Sequence, residues 1–171
     1  MSPPGERQPP YLVPGGRTVT PLNSPLEVGV RALVLLVESH PRPLDLAQLV
    51  ALDYLMLHSG EFDGPRSLHP DLPAREGELG RKRELLEQGL LVLIRAGLAD
   101  LVSSDDGLVY AAAENGPTFI EVLEAPYVAS LRERAEWALN RYASPAHARS
   151  VTHQIINRAT TGSASEGAGH G

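Results

Sequence analysis

"LADLVSSDDGLVYAAAENG", residues 98–116, decides the fold class of this chain. Two short apolar runs flank Ser104-Asp105-Asp106-Gly107. Asp-Gly between such runs predicts a tight β-hairpin, because the turn needs a residue that tolerates positive φ. What surrounds the hairpin reads as helix. Ser24-Pro25-Leu26-Glu27 is a start signal: Ser24 can cap free N–H groups, Pro25 suits the first helical position, and Glu27 completes a capping box. "VGVRALVLLVESH" (28–40) is apolar almost all round, which predicts a central helix stopped by Pro41 and Pro43. Asp45 and Gln48 open a second helix running to about His58, with Leu46, Leu49, Val50, Tyr54 and Leu57 as its apolar stripe. A third helix is expected over about 78–96, its core face Leu85, Leu86, Leu90, Leu93 and Ile94, ended by Gly97 at C′. Beyond the hairpin, residues 116–142 read as a short helix and a longer one, separated by Pro126. Val128, Leu131, Ala135, Ala138, Leu139 and Tyr142 make the longer helix amphipathic.

Helix, helix, helix, hairpin, helices is the order of a winged helix, with the third helix as recognition helix and the hairpin as wing. The expected fold is mainly α with a small β-hairpin, winged-helix-like, with a long loop between the second and third helices. That loop is the departure, since a helix-turn-helix normally has a turn of only a few residues there.

The chain has 171 residues, enough for one domain with a real core. Hydrophobic residues are 42 % and charged residues 21 %, ordinary for a soluble globular protein. No apolar stretch is long enough for a membrane span, and the N-terminal stretch has no apolar core of a secretory signal. There is no cysteine, which removes disulfides, thiolate metal sites and a cysteine nucleophile and fits a cytoplasmic protein. The net charge of −6 argues against a free-standing DNA binder, which is usually basic. Residues 1–23 hold six of the 15 prolines and are expected to be an extended Pro-rich arm. Residues 24–145 would form the winged-helix-like domain, and 146–171 a flexible C-terminal tail ending in small residues.

"HSGEFDGPRSLHP" (58–70) concentrates histidines, acids, serines, glycines and prolines. A metal site from His58, Asp63, His69 and Asp71 is one reading, but no ligand spacing such as H-E-x-x-H sets its geometry. A hydrolase built on Ser59 or Ser67 is a second, but there is no G-x-S-x-G elbow, no Walker A sequence and no G-x-G-x-x-G. The third is a structural connection: glycines and prolines set the turns, Leu68 and Leu72 anchor it, and Arg66 and Arg75 bond carbonyls or carboxylates. A long ordered loop can also present a docking surface. The structural reading is preferred, with no catalytic residue, cofactor or metal expected.

Asp53 falls on the apolar side of the second helix. A buried carboxylate needs a partner, and Arg31, Arg81 and Arg83 are the candidates. Arg81-Lys82-Arg83 open the third helix, where they could meet phosphates or remain a solvated face balanced by Glu76, Glu78, Glu84 and Glu87. Arg132, Arg134, Arg141, Arg149 and Arg158 make the C-terminal region the most basic part of the chain, suited to nucleic acid or an acidic partner.

The run 44–98 resembles the middle component, second class, of bacterial ABC-three-component systems, which overlap Lamassu-type anti-phage defence operons. The features that carry the resemblance are "LDYLMLHSG" (52–60), "GPRSLHP" (64–70), Arg75-x-Gly77-Glu78, "KRELLEQGL" (82–90) and "PYVASLRERAEWALNRY" (126–142). It covers about residues 22–142. The resemblance implies a small winged-helix-like protein without enzymatic activity. It would work beside a coiled-coil SMC/Rad50-like ABC ATPase and an effector subunit, often a nuclease, which together sense invading DNA. His58, Ser59, Gly64, Pro65, Ser67, Leu68, His69 and Pro70 would be the family's signature loop, structural or docking in role. Any DNA contact would be shared within the complex, through Arg81, Lys82 and Arg83 or through Arg132, Arg134 and Arg141. The alternative is a stand-alone winged-helix transcriptional regulator, which predicts a homodimer and duplex binding with a steep salt dependence.

Overall fold

The first helix begins where Ser24 Oγ accepts a hydrogen bond from Glu27 N at 3.3 Å, with Pro25 at the first helical position. The structure is a computed structural model that describes residues 24–70 and 77–166, side chains as far as 161. Among the described residues six helices and one hairpin follow in order: α1 Pro25–Ser39, α2 Leu46–Leu57, α3 Glu78–Arg95, β1 Ala99–Ser104, β2 Gly107–Ala112, α4 Gly116–Glu121, α5 Pro126–Tyr142 and α6 Pro145–Glu166. A 3₁₀ turn, Ser59–Phe62, extends α2 into the loop 58–70. The fold is thus mainly helical with an antiparallel two-stranded hairpin. The expected arm at 1–23 lies outside the described residues, as do Asp71, Leu72, Arg75 and Glu76.

Asp45 caps α2 with a complete box: Asp45 Oδ1 accepts from Gln48 N at 2.7 Å and Gln48 Oε1 accepts from Asp45 N at 2.8 Å. At α1 the Ser24 half of the box is present, while the Glu27 carboxylate oxygen Oε2 is buried without a hydrogen bond among the described residues. α3 ends in a Schellman motif. Gly97 takes φ +71°, its N–H donates to Ile94 O, and Leu98 N–H donates to Leu93 O. In the hairpin, Ser104 pairs with Gly107, leaving Asp105 and Asp106 as the connection. The positive φ falls on Gly107, at +125°, and on neither aspartate.

Leu44, between α1 and α2, forms a one-residue bridge to Tyr110 on the far side of β2 from β1. A short first strand pairing with the last strand of the hairpin is how a winged helix is laid out, and the arrangement here is consistent with one.

The core lies between α1 and its neighbours. α1 packs on α3 and α5, and α2 packs on α5 and α6. Val28, Ala32, Leu33, Val34, Leu35 and Leu36 of α1 are buried, as its nearly all-round apolar pattern predicts. α1 and α3 cross at two glycines. A Cβ on Gly89 would stand 2.8 Å from Gly29 N and 2.9 Å from Pro25 O, so only glycine lets the backbones approach this closely.

Two expectations are corrected, and the corrections are linked. The second helix was expected to carry one apolar stripe, yet every residue from Gln48 to Leu57 is buried, including Leu52, Leu55 and Met56 outside the stripe. The stretch from 146 was expected to be a flexible tail, yet α6 runs to Glu166 and buries Ala148, Val151 and Ile155. These three recur at helical spacing and pack on α2. The small polar residues between them hide the pattern. No helix among the described residues is long and apolar enough to cross a membrane.

Candidate functional site

Asp53 sits mid-way along α2 and is wholly buried. Its carboxylate is held from two helices. Arg31 of α1 donates through Nε to Oδ1 at 2.7 Å and through Nη2 to Oδ2 at 3.2 Å. Lys82 of α3 donates to Oδ2 at 2.5 Å. Burial alone would raise the Asp53 pKa, but the two cations together with their hydrogen bonds outweigh it and hold the carboxyl well below the usual carboxylate range. Arg31 is the partner that the sequence suggested. Lys82 is the one it missed, although Lys82 lies one turn before Leu86 on the stripe Leu86, Leu90, Leu93. A cation on an apolar stripe is the signal that could have found it. Arg81 and Arg83, the other two suggested partners, are exposed.

The loop 58–70 follows α2, and its polar groups hold its own backbone. Ser59 Oγ donates to Pro65 O at 2.7 Å, and Ser67 Oγ accepts from Gly60 N at 3.0 Å. Leu68 N and His69 N both donate to Leu57 O, at 3.0 and 3.1 Å. Leu68 packs against the core. Asp63 turns the chain in the left-handed region at φ 58°, which its short polar side chain tolerates. His58 and Ser59 are buried, whereas Gly60, Asp63, Arg66 and Pro70 are exposed.

Two later helices, α5 and α6, pin the loop from outside. Arg134 of α5 donates through Nη2 and Nε to Arg66 O, at 2.8 and 3.2 Å. So Arg66 serves through its carbonyl, not through its guanidinium as expected. The Trp137 ring lies against Gly64 so closely that a Cβ there would overlap it. The Tyr127 hydroxyl stands 3.3 Å from His69 Nε2. From α6, Arg158 donates through Nη1 to Glu61 Oε2 at 2.9 Å and lies over the Phe62 ring. Glu61 Oε2 also accepts from Tyr54 Oη at 3.2 Å, and Glu61 Oε1 faces His58 Nδ1 at 3.5 Å. Desolvation, then the Arg31 charge, push the His69 imidazole down to about 4.

Among the described residues no group of three or more metal-ligating side chains could hold a metal ion. The His58 and His69 rings stand edge to face with centroids 6.2 Å apart, and Asp71 lies outside the described residues. The hydroxyls of Ser59 and Ser67 are both engaged by backbone groups of the loop. What the arrangement does chemically is satisfy buried charge and lock a loop.

The basic residues set out for nucleic acid or partner contact divide into two groups. Lys82 is committed to Asp53, Arg132 to Glu38 at 2.6 Å, and Arg134 to the loop. Arg81 and Arg141 are exposed, and so is Arg83, 3.7 Å from Glu87.

No curated protein and no solved structure matches the chain. A family model does, that of ABC-three component (ABC-3C) system Middle Component 2, over residues 21–166. The match spans the ion-paired cluster, the loop, the hairpin and α6. The chain belongs to the Middle Component 2 family of ABC-three-component systems and is an accessory component of such a system.

Proposed function

We propose that this chain is a non-catalytic subunit of a cytoplasmic anti-phage defence complex of Lamassu type, bridging a coiled-coil SMC-like ABC ATPase and an effector, a nuclease by preference. The observation that carries the reading is the family match taken with the use of the loop residues. His58, Ser59, Ser67 and His69, the groups on which catalysis would have to rest, face neighbours that fix the loop. A rigid loop on a small helical body suits docking. Its exposed residues, Gly60, Asp63, Arg66 and Pro70, are the ones a partner could meet. DNA contact within the complex would run through Arg81, Arg83 and Arg141, since Lys82, Arg132 and Arg134 are engaged inside the protein.

Co-expression with the adjacent genes, followed by affinity purification and sizing with and without duplex DNA, tests the reading. A stable complex with a coiled-coil ATPase is expected. A lone dimer that binds duplex DNA with a steep salt dependence, and ignores its neighbours, would replace it with the regulator.

A further inference from the structure

Among the described residues the hairpin has an edge with unpaired backbone, and its composition is unsuited to an edge. Tyr110 exchanges both its N–H and its C=O with Leu44, at 2.8 and 2.9 Å. Both groups therefore point away from β1. Leu101 is the residue opposite Tyr110, so that pair is a non-hydrogen-bonded one, and the N–H and C=O of Leu101 point outward from β1. The same alternation aims those of Ser103 outward. Among the described residues no strand covers that side of β1, and every residue from Asp100 to Ser104 is exposed.

Edge strands are ordinarily blunted by lysine, proline or a bulge. This one has none of them. Leu101 and Leu108 are diagonal neighbours on one face, 46 % and 60 % exposed, and Val102 is 45 % exposed on the other face opposite Val109. A ribbon that is apolar on both faces has the composition of an interior strand. Its charge is one-sided as well. From Ala96 to Leu131 there is no lysine, arginine or histidine, while Asp100, Asp105, Asp106, Glu114, Glu121 and Glu124 are all acidic. Phosphates would be repelled from such a wing, and so would a second copy of the same hairpin.

We infer that the outer edge of β1 takes an added strand from another component of the system: an extended segment with apolar residues on both faces and lysine or arginine flanking them. Leu101 and Ser103 supply the backbone hydrogen bonds, the leucines and Val102 supply apolar cover, and Asp100, Asp105 and Asp106 meet the flanking cations. The identity of the occupant rests on the accessory-subunit reading.

The test is quantitative co-purification of the whole system, expressed from its own genes, with the wild-type chain and three variants. Ser103→Pro removes an outward N–H without breaking the β1–β2 ladder, and Ser103→Ala is its control. Asp105→Lys/Asp106→Lys reverses charge at the exposed turn and leaves the strand backbone intact. Loss of one edge hydrogen bond predicts a complex about ten-fold weaker for Ser103→Pro, with Ser103→Ala unchanged. The double lysine variant is expected to weaken it also. A photo-crosslinker at Val102 should join another component of the system. A crosslink to a second copy, to residues 1–23 of the same chain or to DNA overturns the inference. So does a wild-type complex that both the proline and lysine variants leave intact. If the wild-type chain itself assembles with no component, the accessory reading falls and the inference falls with it.

Discussion

Lys82 Nζ reaches Asp53 Oδ2 at 2.5 Å, while Arg31 Nε holds the other oxygen of the same buried carboxylate at 2.7 Å. Three helices are thereby joined at one point inside the core. A cation in the middle of the basic run 81–83 thus serves the fold, and only its neighbours Arg81 and Arg83 remain at the surface.

Removing the carboxylate leaves the buried Arg31 and the half-buried Lys82 facing each other without a counter-charge. Asp53→Asn is expected to cost about 3–5 kcal/mol, the usual scale for one partner lost from a buried ion pair. Lys82→Met should cost less, because Asp53 keeps Arg31. Urea denaturation of both variants checks the order. The pH dependence follows from the depressed Asp53 pKa. Its stabilisation is complete above the unfolded-state value of about 3.9 and is lost as the pH falls below it. Asp53→Asn should lack that acid-side loss, and an unchanged acid limb in the variant would assign the loss to other groups.

His69 gives a second, higher window. Its folded pKa, about 4, lies below the ordinary imidazole value of 6.5, so the unfolded chain binds the proton more readily. Stability is therefore complete above the unfolded value and declines as the pH falls from there toward about 4. Melting temperatures between these limits should fall more steeply for wild type than for His69→Gln. Parallel curves would mean that the imidazole titrates normally.

Glycine is required at two close approaches. Gly89→Ala would press its methyl against the α1 backbone at Gly29 N and Pro25 O, neither of which can rotate away. Gly64→Ala would press against the Trp137 ring. Overpacking of this kind costs about 1–3 kcal/mol. The Gly89 change should be the worse of the two, since a side chain yields more readily than backbone. At Gly77, which has open space around it but φ +81°, a substitution would act through backbone strain alone. Denaturation midpoints rank the three.

Ile155 tests whether α6 is part of the core. It is 2 % exposed on a helix packed against α2. Ile155→Ala should cost at least about 2 kcal/mol, the lower end for a buried Ile→Ala change. A surface tail would show no change. Arg158→Ala, at the exposed end of the clamp on Glu61, should cost about 1 kcal/mol or less.

Much of this architecture is written in the local sequence. The Ser24 and Asp45 caps, the Gly97 terminator, the Asp-Gly hairpin and the stripe on α3 each depend on residues within a turn or two of one another. Local propensity and hydrogen bonding suffice for such features. The buried Asp53 could likewise be recognised as needing a cation, because burial of an unpaired charge is too costly to persist. Which cation answers it depends on how α1, α2 and α3 cross, and the glycines at 29 and 89 set that crossing. Tertiary packing alone decided that α2 is buried on every side, because its second covering layer is α6, a helix with small polar residues between its three core contacts. The loop was legible as a structured connection. Its locks were not, because Tyr127, Arg134, Trp137 and Arg158 lie 58 to 97 residues from the groups they bond, or on helices whose rotation no local rule specifies.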